Sequence, residues 1–265
     1  MNLVVLISCM HEKDHSIIER TNVQTDVVVV NQCDEESEER YTFLDSKGKE
    51  HNALFINTTE RGLSRSRNMA LKNASHADIC LISDDDECLE DDYEEIILKV
   101  FEESKKPLDV ASFSFNRKDK NGSYPMTEKK MGVYRICKTS SVELAFRRKS
   151  VLDSGIAFDV KMGSGSGNGG GEDTKFMLDC KRKGLNMRYF PYTIGTLLSY
   201  NSQWFHGWDK KLMMDTGWTA KRGYGFLIGY LFVLYKVVRD FKDYKKEMSP
   251  FAAFYYLNKG FFSVR

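Results

Sequence analysis

Three short, largely apolar runs constrain this chain most: residues 3–7 (LVVLI), 27–30 (VVVV) and 78–83 (DICLIS). They lack the apolar–polar alternation of a half-exposed antiparallel strand. β-Branched runs of this length suit strands buried on both faces of a mainly parallel sheet. Between the first two, residues 16–20 read as a short helix. Residues 52–57 read as a further strand after a Lys47-Gly48 turn. Leu63, Arg67, Ala70, Leu71 and Ala74 recur at helical spacing, so 63–74 reads as a helix. Asp91 or Asp92 caps another helix reaching about Glu103.

Beyond Pro107 the pattern changes. Residues 110–115 and 133–137 alternate like strands, joined by a polar loop with Asn121-Gly122, and 142–147 continues as strand. A glycine-rich stretch, 163–171 (GSGSGNGGG), precedes a helix from Glu172 to about Lys183, with Gly184 just past its end. Residues 186–190 read as the last core strand. The succession of β and α elements argues for an α/β fold, with ligands at the carboxyl ends of its strands.

Net charge is +1 over 265 residues, which argues against a dedicated nucleic-acid binder until the charges are placed. Residues 1–110 hold 12 Lys+Arg against 25 Asp+Glu, 111–200 hold 16 against 8, and 201–265 hold 11 against 5. An acidic first half and a basic second half can face each other across one site. No nucleic-acid recognition motif accompanies the positive charge, so no nucleic-acid partner is expected. The six cysteines form no C-x-x-C pair, which fits reduced thiols and a cytoplasmic setting. The first apolar run lacks a basic leader and reads as a buried strand, not a signal peptide.

Three motifs carry chemistry. Asp84-Asp85-Asp86 directly follows a hydrophobic strand. Three adjacent carboxylates repel one another, and a hard divalent cation, Mg2+ or Mn2+, would offset that repulsion through oxygen ligands. The plainer reading is a solvated turn before the next helix. In the second motif, residues 62–68 (GLSRSRN), Arg65 and Arg67 open a helix and oppose its macrodipole. A phosphate would relieve the conflict. The alternative is a capped helix with solvated arginines. The third is Gly169-Gly170-Gly171-Glu172-Asp173. Its glycines allow close backbone approach to a ligand or a hinged lid, and a carboxylate in the helix's first turn can serve as a general base. Simple helix capping also accounts for the acids.

In order, LVVLIS, VVVVNQ, GLSRSRN, LISDDD and GGGEDTKF resemble the glycosyltransferase family 2 pattern, of bacterial polysaccharide-biosynthesis type, over about residues 1–200. The resemblance implies a GT-A (Rossmann-like) fold, a mostly parallel sheet sandwiched by helices. It also implies a metal-assisted, inverting transfer of sugar from a nucleoside diphosphate, usually uridine diphosphate, to a glycan or lipid-linked hydroxyl. By that resemblance Ser8, Asn31, Asp34, Arg65, Arg67, Asp84 and Asp85 surround the nucleotide. Asn31 stands where many relatives have Asp. Asp86 is the main metal ligand, with Asp84 completing the D-x-D pair. Asp173 corresponds to the catalytic base and Glu172 supports it.

From Ser202 the chain is rich in aromatic and basic residues. In W-F-H-G-W, His206 could complete the metal site as a neutral imidazole, while Trp204 and Trp208 fit aromatic packing better than acceptor stacking. Residues 225–241 are strongly apolar and are followed by Lys242, Lys245 and Lys246. Their longest apolar stretch, Phe226 to Tyr235, is too short to span a bilayer, which takes about 20 residues. They suit an amphipathic helical extension lying on an anionic membrane surface, through residues 225–256. The expected division is a catalytic domain over 1–222 and the extension over 223–265. The expected location is cytoplasmic, peripheral on the inner face of the cell membrane. Two rivals share parts of the pattern: a sugar-nucleotide nucleotidyltransferase, which cleaves within a triphosphate, and a non-catalytic carbohydrate-binding protein.

Overall fold

The computed structural model describes residues 1–117, 124–198 and 207–265. The first half contains β1 (Leu3–Met10), α1 (Ile17–Arg20), β2 (Asp26–Gln32), β3 (Ser37–Leu44), β4 (Glu50–Thr58), α2 (Leu63–Asn73), β5 (Ile79–Asp84), β6 (Glu87–Leu89) and α3 (Tyr93–Glu103). The middle adds β7 (Val110–Asn116), β8 (Lys129–Lys130), α4 (Val133–Ile136), a 3-10 turn at Ser141–Glu143, β9 (Leu144–Arg147), α5 (Arg148–Asp153), α6 (Glu172–Arg182) and β10 (Met187–Leu197). Helices α7 (Lys210–Tyr224), α8 (Phe226–Arg239), α9 (Phe241–Tyr244) and α10 (Pro250–Phe262) follow.

Among the described residues the strands form one sheet in the order β3-β4-β2-β1-β5-β9-β7-β10-β6, with β8 beside β10. β4, β2, β1 and β5 are mutually parallel, and β7 runs parallel to β10. Antiparallel pairing of β9 with both β5 and β7 joins these two parallel groups. The apolar runs sit at the centre because each strand residue, alternately up and down, meets a covered face. Val4, Leu6, Val28 and Val30 pack on the face that carries Ala70 and Leu71 of α2 and Phe176 of α6. Val5, Ile7, Val27 and Val29 pack on the other, with Ile17, Tyr93 and Ile97. Each buried aliphatic contributes about 1.5–3 kcal/mol of transfer free energy.

Two segments differ from the sequence expectation. Of residues 133–137, Val133–Ile136 form the helical turn α4 rather than a strand, closed by the Ile136 amide on the Gly132 carbonyl at 3.0 Å, and Cys137 follows as its cap. β-Branched residues favour strands only where a neighbouring strand offers a packing surface, and here only Ile136 is buried. Residues 142–147 begin as the 3-10 turn, and only Leu144–Arg147 pair in the sheet. In addition, β3 is an edge strand that the sequence pattern does not announce.

The last four helices share a separate apolar cluster that includes Met213, Ala220, Val233, Tyr244, Leu257 and Phe261. Helix α7 runs through Arg222 and Gly223 without a break. It meets α10 at very close range. A Cβ on Gly217 would lie 1.9 Å from the Leu257 carbonyl oxygen, and one on Gly260 would lie 1.8 Å from that of Met214. Glycine at both positions is what lets the two backbones touch.

Candidate active site

The carboxyl ends of the parallel strands bring the sequence motifs into one place. In the register, Ser8 of β1 stands beside Val30 of β2 and Asp84 of β5, while Asn31 stands beside Cys9 and Asn57. The Ser8 hydroxyl accepts a 2.5 Å bond from Ser66 of α2, which ties that helix to the sheet.

Arg67 lies at the centre. It projects inward from α2 and is 1% exposed. Its Nη2 donates to Asp84 Oδ1 at 2.9 Å and to Ser141 Oγ at 2.7 Å. Nη1 donates to Asp173 Oδ1 at 2.6 Å and to Glu172 Oε1 at 3.4 Å. Nε is buried without a partner among the described residues. The guanidinium also lies 5.5 Å from the ring centre of Phe158. Burial alone would favour the neutral form. Asp84, then Asp173 and Glu172, overcome it and raise the arginine's pKa. Arg67 is therefore buried and bonded to three acids at once.

Asp173 and Glu172 occupy the first turn of α6, behind Gly171 in the left-handed conformation at φ 95°. Asp173 keeps 21% of its side chain open. Its Oδ2 accepts the Ser141 backbone N–H at 3.2 Å. Glu172 is buried. Desolvation, then the Asp173 charge, push its pKa up to about 7, with Arg67 pulling the other way. Desolvation prevails because the 3.4 Å contact is long and Arg67 is shared among three acids.

The acidic triplet turns sharply between β5 and β6. Asp84 faces Arg67. Burial, then its two neighbours Asp84 and Asp86, push Asp85 up to about 6, and Glu12 adds to the effect. Asp86 is raised as well, by burial and then by Asp84. Beneath them Glu87 is fully buried, and its Oε1 accepts the Asp84 backbone N–H at 3.1 Å. Burial and Asp84 hold it well above the ordinary carboxylate range. Among the described residues no group of three or more His, Cys, Asp or Glu side chains is arranged to hold a metal ion. The all-oxygen, self-repelling set does fit a hard divalent cation of the kind held by one or two carboxylates together with substrate phosphate oxygens. His206 and Trp204 lie outside the described residues. Trp208 packs near Tyr244, with ring centres 6.1 Å apart.

The remaining expected residues are Asn31, Asp34 and Arg65. Asn31 is buried, and its amide is fully used. It donates to the Glu12 carbonyl at 2.9 Å and to Asn57 at 2.8 Å, and accepts the Glu12 N–H at 3.0 Å. It thus braces the loop after β1. Asp34 is exposed and accepts from Arg61 at 2.6 Å. Arg65 is exposed on the first turn of α2. That helix end is not open to an anion through its first amide, since Leu63 N–H donates to the Ser164 carbonyl at 2.8 Å. The glycine-rich segment approaches protein at these points. A Cβ on Gly165 would lie 3.0 Å from Gly62 Cα, and one on Gly171 would lie 2.8 Å from Thr219 of α7. Sequence reasoning missed Ser141, Phe158 and Glu87. Only Glu87, adjoining the triplet, stood near a recognisable motif.

The site thus joins an acidic turn at the carboxyl end of β5 to the acids opening α6 through one buried arginine. Residues 12–161 match the family model described as glycosyl transferase family 2. This chain belongs to glycosyltransferase family 2. It is a glycosyltransferase, with the GT-A fold. The matched segment holds Asn31, Arg67 and the acidic triplet, and stops short of Glu172 and Asp173. Among solved structures, S. aureus TarS 1-349 is 15% identical, with a TM-score of 0.60, covering 93% of this chain and 74% of that one. TarS 1-349 in complex with UDP-GlcNAc is 14% identical, also with a TM-score of 0.60, over 93% of this chain and 74% of its own. A mannosyltransferase from Pyrobaculum calidifontis, in complex with GDP-Man and Mn2+, is 14% identical with a TM-score of 0.50, covering 97% of this chain and 68% of its own. At these identities the structures bear on the fold alone. The chain matches no curated protein.

Proposed function

We propose that this family 2 glycosyltransferase moves a sugar from a nucleoside diphosphate, a UDP-sugar, to a hydroxyl of a glycan or lipid-linked acceptor in cell-surface polysaccharide synthesis. The observation that carries the reading is the Arg67 clamp. It holds Asp84, at the diphosphate end of the site, and the partly open Asp173 on one buried cation. UDP-GlcNAc bound to TarS and GDP-Man with Mn2+ bound to the mannosyltransferase support a nucleotide-sugar donor.

The reaction is a single displacement with inversion. Asp173 takes the proton of the acceptor hydroxyl. That oxygen bonds to the anomeric carbon as the bond from this carbon to the diphosphate oxygen breaks, releasing nucleoside diphosphate. Arg67 holds the Asp173 carboxylate in place beside Glu172. Asp84 and Asp86 would hold Mn2+ or Mg2+, which supplies Lewis-acid stabilisation of the leaving diphosphate. Ser8, Asn31 and Asp85 form the nucleotide end of the cleft, with Asp34 and Arg65 at its rim.

The helical extension gives the enzyme a membrane-facing surface, on a cytoplasmic, peripheral protein. No helix among the described residues is long and apolar enough to cross a membrane. Helix α8 buries only Gly229 and Val233, leaving Leu227 73% and Val238 78% exposed. Phe251 of α10 is 88% exposed, and Lys242, Lys245 and Lys246, between α8 and α10 in the chain, are exposed as well. Exposed apolar side chains together with exposed lysines suit the interface of an anionic bilayer.

The deciding experiment screens UDP-GlcNAc, UDP-glucose, UDP-galactose and GDP-mannose for thermal stabilisation with and without Mn2+. A donor that stabilises at 100 times its Kd contributes about 2.7 kcal/mol. It should do so only with metal, and Asp86→Asn should abolish the shift. Stabilisation by no nucleotide sugar, or equal shifts without metal, would overturn the reading.

A further inference from the structure

We propose that Ser141 is a positioning residue of the transfer site. It locks the carboxylate of Asp173 and the guanidinium of Arg67 in one relative orientation. This rests on the reading of Asp173 as the base.

Ser141 is buried and touches both partners at once. Its Oγ accepts from Arg67 Nη2 at 2.7 Å, and its backbone N–H donates to Asp173 Oδ2 at 3.2 Å. Arg67 meanwhile holds the other oxygen, Oδ1. The carboxylate is therefore gripped at both oxygens from two directions, which fixes its rotation as well as its place. A single bond would leave the carboxylate plane free to turn.

The grip is built on a rigid base. Ser141 opens the 3-10 turn, and Glu143, two positions on, is completely buried. Glu143 accepts the Tyr124 hydroxyl at 2.8 Å, and Arg135 Nη2 lies 3.7 Å from its second oxygen. The Arg135 guanidinium stacks over Tyr189 at 4.2 Å. Directly after the turn, β9 pairs with β5, the strand that ends in Asp84. Thus the element carrying Ser141 is anchored to the same strand that presents the acidic triplet.

The two bonds can be removed in succession. Ser141→Thr keeps both. Ser141→Ala removes the hydroxyl. Ser141→Pro also removes the N–H, at a helix-opening position that tolerates proline and follows the extended Ser140, at ψ 165°. The assay is release of nucleoside diphosphate, with Mn2+, from UDP-GlcNAc, UDP-glucose, UDP-galactose and GDP-mannose, alongside Asp173→Asn. Folding is checked by the thermal midpoint. The expected result is a kcat about 10-fold or more lower in Ser141→Pro, a smaller loss in Ser141→Ala, and near-normal turnover in Ser141→Thr, all with donor KM unchanged. If the proline variant does not fold, the alanine and threonine pair decides. Folded variants with unchanged kcat, beside an inactive Asp173→Asn, would overturn the role of Ser141 alone. Full turnover in Asp173→Asn, or no release by the wild-type protein, would overturn the reading beneath it.

Discussion

Arg67 and Asp173 are separated by 106 positions and joined by a 2.6 Å charge-assisted bond, with the arginine sealed and the aspartate partly open. That asymmetry defines the site. A buried cation serves three acids, of which Asp84 and Asp173 still reach solvent while Glu172 is buried.

Removing one partner of a buried charge cluster leaves the others uncompensated, at roughly 3–5 kcal/mol. Arg67→Met should lower unfolding stability by that amount in urea titration. Arg67→Lys should lose less, because it keeps the charge but cannot fork toward four partners. A loss below about 1 kcal/mol, the range of an exposed pair, would contradict the clamp.

Glu172 sets a pH dependence. Its folded pKa of about 7 exceeds its ordinary value of 4.5, so the folded state binds the proton more tightly. The associated stability is fully present below about pH 4.5 and is lost as pH rises through about 7. Glu172→Gln should therefore gain stability relative to wild type across that window, measured in the presence of a chelator. A gap that stays constant, or that narrows as pH rises, would contradict the assignment.

Much of this was legible in the sequence, for identifiable reasons. The buried strands announced themselves because parallel strands covered on both faces need unbroken apolar runs. Strand β3 did not, because its Tyr41 and Phe43 alternate over too few residues within a charged edge. Residues 133–137 carried β-branched side chains, yet no neighbouring strand was there to receive them. The acids and Arg67 stood in recognisable motifs. Their mutual arrangement did not, since it depends on α6 folding back across the sheet. Ser141 carried no signal at all: a serine gains its role only from what the fold places beside it.

The extension yields a binding prediction. Leu227→Glu with Val238→Glu places two charges on the exposed face of α8 and should abolish co-sedimentation with vesicles containing phosphatidylglycerol. Lys242, Lys245 and Lys246 together should contribute about 1 kcal/mol each at low salt. Replacing all three should weaken binding to anionic vesicles and leave weak binding to neutral ones unchanged. Wild-type protein that ignores anionic vesicles would refute the membrane surface.

The most direct test is Asp173→Asn, assayed for both donor binding and transfer. The substitution keeps the shape and removes the base. Donor affinity should hold, while turnover should fall by roughly 10²–10⁴-fold, the usual scale of a general-base effect. Unchanged turnover in a folded Asp173→Asn protein would contradict the account.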